Sequence, residues 1–142
     1  MLVFKTGNLF DSECTTLVNT VNTTGAMGAG IALQFKNKYP KMFKWYKGMC
    51  DNNNLITGKV YLYSGTPNIL LFPTKAAWWK KSEHSYIDAG LRDFADAYCE
   101  FGITSIAFPK LGCKNGGLNW IDVKPLMVKY LNDLPIYIEI YE

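Results

Sequence analysis

Two glycine-rich segments of the 142-residue sequence have the composition of phosphate-binding loops. Residues 19–32 read NTVNTTGAMGAGIA, and residues 108–120 read FPKLGCKNGGLNW. Each follows an apolar run and precedes a helical pattern. Glycine lets backbone N–H groups approach a phosphate, and the N-terminus of a following helix adds the positive end of its dipole. One such loop could be only a tight turn or a connection, but two in this context predict a clamp for a pyrophosphate.

The spacing of the first segment does not identify the nucleotide. Its G-x-x-G-x-G pattern is neither the G-x-G-x-x-G of dinucleotide-binding folds nor a Walker A loop, and no G-K-[ST] follows it. An α/β domain that binds some other nucleotide therefore stays open at this point.

A lysine and three asparagines could supply chemistry beside these loops. Lys75 ends the apolar run LFPTK, and a lysine held at the mouth of a strand can have its pKa lowered and then serve as nucleophile or proton carrier. Asn8, Asn19 and Asn22 follow or end predicted strands, where an amide can both donate to and accept from a ribose or base. The structural alternatives are a solvated surface lysine and Asx-turns.

The composition excludes several classes of site. The only histidine, His84, lies in a charged stretch and is expected to be a solvated loop residue, so triads and multi-histidine metal sites are excluded. The four cysteines form no C-x-x-C pair. Without a signal-peptide pattern or an apolar run long enough to cross a bilayer, we expect a cytoplasmic monomer with free thiols and no membrane contact.

The net charge of +3 tolerates an anionic ligand without requiring one. Aromatic and basic residues nevertheless cluster in sequence, and they could hold a single nucleic-acid strand by stacking and phosphate neutralisation. Solvated helix faces are the alternative for the lysines among them. These residues are Lys36, Lys38, Lys41, Lys44, Lys47, Trp78, Trp79, Lys80 and Lys81.

The elements that position these residues alternate between strands and helices. Strands are predicted at 2–5, 16–21, 59–64, 69–73, 104–109 and 136–141, and helices at 28–38, 41–50 and about 121–131. A further helix, N-capped by Ser85, buries Ile87, Leu91 and Phe94 and ends before Gly102. This alternation favours one α/β domain over residues 1–142, a three-layer α/β/α sandwich around a sheet of about six strands. Ligands in such folds lie at the carboxyl ends of the strands.

The ordered motifs resemble the macrodomain family. They are GNLF at 7–10, the N-x-V-N-T-x-G-x-M-G-x-G-I-A run from Asn19, PTK at 73–75 and G-C-x-N-G-G-L-x-W at 112–120. The order and spacing fit over essentially the whole chain. The resemblance implies a mixed six-stranded sheet, and within the family the chain is similar to the DarG-type DNA ADP-ribosyl glycohydrolases and, beyond them, to the terminal ADP-ribose protein glycohydrolases.

The resemblance implies that ADP-ribose lies across the strand ends. Lys75 matches the catalytic lysine and Asn22 an asparagine that orients the distal ribose or the linked base. Asn8 and Leu9 match positions that meet the adenine, and the two glycine loops match those around the pyrophosphate and distal ribose. The expected ligand-binding residues are Asn8, Leu9, Asn19, Thr24, Gly25, Ala26, Met27, Gly28, Gly30, Ile31, Pro73, Thr74, Leu111, Gly112, Cys113, Lys114, Asn115, Gly116, Gly117 and Leu118.

One departure separates the chain from the protein glycohydrolases. These carry a catalytic Asp in the second glycine loop, where this sequence has Gly116. The resemblance therefore implies a metal-free, cofactor-free hydrolase that releases ADP-ribose from a modified base, most readily thymidine in single-stranded DNA. The alternatives are an ADP-ribose reader without turnover and an ADP-ribose-1″-phosphate phosphatase.

Overall fold

The computed structural model describes residues 1–142 as one mixed sheet flanked by four helices. The strands are β1 (Leu2–Lys5), β2 (Thr16–Asn22), β3 (Tyr61–Tyr63), β4 (Asn68–Lys75), β5 (Ser105–Phe108) and β6 (Tyr137–Tyr141). The helices are α1 (Gly30–Lys38), α2 (Pro40–Asp51), α3 (His84–Ala97) and α4 (Trp120–Leu131). A short 3-10 helix spans Leu9–Asp11.

The six strands lie in the order β1-β6-β5-β2-β4-β3. All neighbours are parallel except β3, which pairs with β4 antiparallel at one edge. The predicted three-layer architecture with a mixed six-stranded sheet is confirmed. Because β2 and β4 are adjacent and parallel, their carboxyl ends meet at the same edge of the sheet.

Each face of the sheet carries its own apolar core. Strand β4, between β2 and β3, is covered on both faces, so its side chains enter both cores and its sequence reads as a continuous apolar run. Leu70 and Phe72 pack towards α3 and α4, whereas Ile69 and Leu71 pack on the side of α1 and α2. Helix α2 starts with Pro40, whose fixed φ suits the first turn of a helix.

Several element boundaries differ from the predicted ones. Strand β3 covers only Tyr61–Tyr63 because the N–H of Val60 donates to Asp93 Oδ2 at 2.8 Å instead of pairing in the sheet. Strand β4 extends to Lys75 because it pairs with β2 along its whole length. Helix α1 begins at Gly30, not at residue 28, because Ala29 has an extended backbone with φ −152° and ψ 162°.

The predicted N-cap of α3 is wrong. Glu83, with φ −123° and ψ 145°, is the capping residue, and its carbonyl accepts from the N–H groups of Tyr86 and Ile87. His84 is therefore the first residue of the helix and not a loop residue, although it is exposed as expected. None of the four helices has the length and apolar character that a membrane crossing requires.

Candidate functional site

The two residues expected to be catalytic meet at the ends of β2 and β4. Asn22 is the register partner of Lys75, at a point where the pairing of the strands becomes irregular after Val21. The N–H of Thr23 continues this contact by donating to the carbonyl of Lys75 at 3.2 Å, and the Thr23 hydroxyl donates to the carbonyl of Ala76. The first glycine loop therefore leaves the sheet directly beside Lys75.

Asn22 shapes the first glycine loop from inside. Its Oδ1 accepts from the N–H groups of Thr24 at 3.1 Å, Gly25 at 3.2 Å and Ala26 at 3.3 Å, and its Nδ2 donates to the carbonyl of Ala26 at 2.9 Å. The amide has two N–H donors, so one remains for another partner. The side chain is thus mainly a scaffold for the loop.

Tyr46 on α2 completes this arrangement and was missed as a site residue. Its hydroxyl lies 2.7 Å from the carbonyl oxygen of Asn22 and 2.8 Å from Oδ1 of the same residue. Burial is the largest influence on the phenol and raises its pKa far above the ordinary value, so the hydroxyl stays neutral and donates. In the sequence, Tyr46 lies at helical spacing from Met42 and Met49, and that pattern indicates only a position in the core.

The first turn of α1 is the part of the loop best suited to an anion. Ala29 provides no side-chain cap, and the first turn contains no acidic residue. The first N–H groups of a helix have no partner within the helix, so those of Gly30 and Ile31 suit a phosphate. Gly30 has φ +59°, and a Cβ there would lie 2.8 Å from Asn115 Nδ2. The two glycine loops therefore touch.

The second glycine loop, residues 111–118, is closed by its own hydrogen bonds and by Ser82. The N–H of Leu118 donates to the carbonyl of Gly112 at 2.9 Å, and that of Ser82 donates to the carbonyl of Gly116 at 2.9 Å. A Cβ on Gly116 would clash with the Ser82 hydroxyl and the Gly112 carbonyl. This packing requires glycine at the position where the protein glycohydrolases carry Asp.

Lys75 is half-buried at the edge of the site. Its Nζ donates to the carbonyl of Trp78 at 3.4 Å, and no carboxylate lies within ion-pairing distance. Cys113 is the cysteine of the second loop. Burial raises the pKa of its thiol, which therefore remains neutral. No three His, Cys, Asp or Glu side chains converge as a metal site would need.

The segment expected to meet the adenine is held by a buried carboxylate. Asn8 Oδ1 caps the 3-10 helix by accepting from the N–H of Phe10 at 3.0 Å, so only its Nδ2 is free for a base. Farther along, Ser12 donates to Glu139 Oε1 at 2.6 Å, and Lys5 pairs with Glu139 Oε2 at 3.0 Å. Glu139 was missed because a lone glutamate in an apolar strand carries no motif.

Several expected ligand-binding residues have buried side chains. Asn19 is fully buried under the first glycine loop, where its Nδ2 lies 3.7 Å from the sulfur of Met27 and its Oδ1 has no partner. The structure therefore does not bring the Asn19 side chain to the surface of the site. Others can offer only backbone atoms: Leu9, Met27, Pro73, Thr74, Leu111 and Gly112.

The remaining expected residues lie at the two loops with some exposed surface. These are Thr24, Gly25, Ala26, Gly28, Gly30 and Ile31 in the first loop, and Cys113, Lys114, Asn115, Gly117 and Leu118 in the second. Gly116 lies among them but is buried against Ser82.

Two surface cavities lie near the end of β1. One, of about 500 Å³, is lined by Gly7, Asn8 and Tyr141 and includes Asn8 of the segment expected to meet the adenine. The other, of about 530 Å³, lies against Glu139 and Cys14 and contains none of the expected site residues. Neither cavity includes Lys75 or the glycine loops.

Comparison with known proteins places this geometry in a family. The model of the Macro domain family matches residues 18–127. A DNA ADP-ribosyl glycohydrolase of Mycobacterium tuberculosis is 42% identical over 95% of this chain and 40% of its own length. A DNA ADP-ribosyl glycohydrolase of Thermus aquaticus is 38% identical over 100% of this chain and 41% of its own length. The chain thus spans about two-fifths of these relatives.

Solved structures agree with the sequence matches. The macrodomain of Mycobacterium tuberculosis DarG superposes with a TM-score of 0.95 at 41% identity, covering 99% of this chain and 97% of that one. Thermosipho africanus DarTG in complex with ADP-ribose superposes with a TM-score of 0.94 at 39% identity, covering 99% of this chain and 41% of that one. With its strand-end loops and these similarities, the chain belongs to the macrodomain family.

Proposed function

We propose that this chain binds ADP-ribose across the ends of β1, β2, β4 and β5 and hydrolyses the bond between ADP-ribose and a DNA base. The observation that carries the proposal is the pairing of Asn22 with Lys75 between two preformed glycine loops. The names of the relatives, DNA ADP-ribosyl glycohydrolases, support the reaction, and the DarTG complex supports the ligand.

Binding rests on the backbone of the two loops. The N–H groups at the start of α1 suit the pyrophosphate, and Asn115 of the second loop lies beside them, so close to Gly30 that a Cβ there would clash with its Nδ2. In this arrangement the free Nδ2–H of Asn8 donates to the adenine, and the adenine occupies the cavity beside Gly7. A linked group on the distal ribose then lies nearest to Lys75.

Lys75 is the proposed catalytic residue, and two routes are open to it. As a nucleophile, neutral Nζ bonds to the anomeric carbon of the distal ribose while the bond to the base breaks, and the base takes up the proton that the new ammonium loses; water then displaces the lysine and its proton returns to Nζ. As an acid, protonated Nζ gives its proton to the departing base while water attacks the same carbon, and the proton that the water loses restores the ammonium. The remaining N–H of Asn22 holds the distal ribose or base in place in both routes.

The decisive experiment is release of ADP-ribose from single-stranded DNA that carries ADP-ribosyl-thymidine. Wild-type protein is expected to release it, and Lys75→Ala to lose at least the roughly 100-fold that a positioned proton-transfer group contributes. Lys129→Ala is the matched control, because Lys129 is an exposed lysine near the end of α4.

Other outcomes identify other functions. Full activity of Lys75→Ala would refute the assignment of the lysine. Binding of ADP-ribose without turnover of any substrate would make the chain a reader. Release of phosphate from ADP-ribose-1″-phosphate with no action on modified DNA would make it a phosphatase, the activity named for a Candida albicans relative that is 26% identical. A covalent adduct with Lys75 that borohydride reduces to a stable amine would select the nucleophilic route.

A further inference from the structure

The segment between β4 and α3 carries the most exposed aromatic surface of the molecule. Trp78 and Trp79 are 60% and 64% exposed, and their rings meet edge to face with centroids 5.4 Å apart. No other two large exposed apolar side chains are adjacent in the sequence. Two adjacent exposed tryptophans are unusual on a protein surface, and exposed apolar patches of this kind mark interaction sites.

Both ends of this segment are anchored in the candidate site. At its start, the carbonyl of Ala76 accepts from the hydroxyl of Thr23, and Ala77 is buried. At its end, Ser82 is buried and its N–H donates to the carbonyl of Gly116. Only the four residues between these anchors, 78–81, are exposed, so they are held at a fixed place between β4 and the second glycine loop.

The exposed residues adjoin the proposed catalytic lysine. The carbonyl of Trp78 accepts from Lys75 Nζ at 3.4 Å. On the other side, the stem of Lys81 lies 3.7 Å from where a Cβ on Gly117 would be. A group attached to the distal ribose near Lys75 therefore continues towards residues 78–81.

The charge around the tryptophans is positive. Lys80, Lys81 and Lys114 form no ion pair, and neither does Lys75. The nearest acidic residue along the chain is Glu83, beyond the anchored Ser82. Lysines without ion pairs beside exposed aromatic rings suit a partner that carries phosphates and planar rings. A surface that binds a protein partner would be expected to expose aliphatic side chains as well.

We propose that Trp78 and Trp79 stack on bases of the DNA strand next to the modified base, while Lys80 and Lys81 neutralise the neighbouring phosphates. This proposal rests on the proposed function, because it takes the linked group to be a nucleotide within a strand. It assigns to residues 78–81 the selection of single-stranded over double-stranded DNA, since bases that are paired in a duplex have no free face for a side chain.

The first test measures binding and needs no activity. A fluorescein-labelled, unmodified single strand of about twelve nucleotides is titrated with protein, and anisotropy gives the affinity. The double variant Trp78→Ala/Trp79→Ala is expected to bind roughly 10- to 100-fold more weakly, and Trp78→Phe/Trp79→Phe to recover much of the loss. The slope of log affinity against log salt concentration is expected to become less steep in Lys80→Ala and in Lys81→Ala, by about 0.7 for each lost phosphate contact. Ile56→Ala, another exposed apolar residue, is the control.

The second test separates this proposal from the proposed function. Two substrates are compared, ADP-ribosyl-thymidine as a nucleoside and the same group within a single strand. The tryptophan variant is expected to raise KM for the strand, leave kcat unchanged and leave cleavage of the nucleoside and calorimetric binding of ADP-ribose as in the wild type. If the wild type cleaved neither substrate, the proposed function would fail, while strand binding would still decide the role of the tryptophans.

Four results would overturn the inference. Three of them are unchanged strand binding by Trp78→Ala/Trp79→Ala, equal affinity of the wild type for a duplex of the same sequence, and loss of ADP-ribose binding in the tryptophan variant. The last would make the segment a structural wall of the ADP-ribose site. Absence of strand binding by the wild type at low salt would also contradict it.

Discussion

Replacement of Glu139 by glutamine should remove a large part of the stability of the protein at neutral pH. The carboxylate is almost fully buried, and burial alone would raise its pKa. Hydrogen bonds from Ser12, Tyr137 and Tyr141 and the ion pair with Lys5 outweigh burial and lower the pKa from 4.5 to about 2. The folded protein therefore prefers the charged form.

The magnitude follows from the two pKa values. A pKa that is lower in the folded state stabilises the protein above the unfolded-state value, and the stabilisation is lost as the pH falls through the folded-state value. At about 1.4 kcal/mol for each pKa unit, a fall from 4.5 to about 2 corresponds to roughly 3 kcal/mol at pH 7. Roughly half of it should be lost by about pH 3.

Denaturant unfolding of the wild type and Glu139→Gln between pH 7 and pH 3 measures this directly. The difference in unfolding free energy between the two should be largest at pH 7 and should shrink below about pH 4.5. Glu100→Gln, which changes an exposed glutamate in no ion pair, is the control and should have little effect. A difference that is the same at pH 7 and pH 3 would refute the reasoning.

Two further substitutions test the loops. Gly116→Ala should cost about 1–3 kcal/mol of unfolding free energy, because the new Cβ clashes with Ser82 and Gly112. Gly48→Ala is the control and should be neutral or stabilising, because the space around its Cβ is open. Equal effects of the two substitutions would contradict the described packing of Gly116. Tyr46→Phe should cost about 1–2 kcal/mol and weaken calorimetric ADP-ribose binding, because it removes the hydroxyl that supports Asn22. Tyr98→Phe is the control, because it removes no hydrogen bond. Wild-type affinity of Tyr46→Phe for ADP-ribose would show that the loop keeps its shape without this support.

The sequence was sufficient for the sheet, for the helices and for the meeting of Asn22 and Lys75 at one edge of the sheet. Alternating apolar runs and helical patterns predict a largely parallel sheet, and a parallel sheet brings the ends of β2 and β4 to one edge. The antiparallel pairing of β3 with β4 agrees with the mixed sheet that the resemblance implies, since only residues 64–67 connect the two strands. The shortening of β3 could not be predicted, because the capture of the Val60 N–H by Asp93 on α3 is a tertiary contact.

The roles of polar side chains were harder to predict than their positions. Asn22 reads in sequence as an amide free for a ligand, but its Oδ1 is occupied by three N–H groups of its own loop and by Tyr46, which lies 24 residues away. Glu139 is identifiable only when Ser12 and Lys5 have been folded against β6. Periodicity reports which face a residue occupies and says nothing about its distant polar partners.

The preformed loops bear on how the chain selects its substrate. Asn22 and Tyr46 fix the first loop and Ser82 fixes the second, so the proposed binding of ADP-ribose requires little ordering of the protein. These contacts are the same whatever group is linked to the distal ribose. Under the proposed function, discrimination between linked groups therefore comes from side chains beyond ADP-ribose, the role proposed above for Lys75 and the exposed residues 78–81. Because Gly116 leaves no room for a carboxylate, the proposed chemistry on that side depends on Lys75.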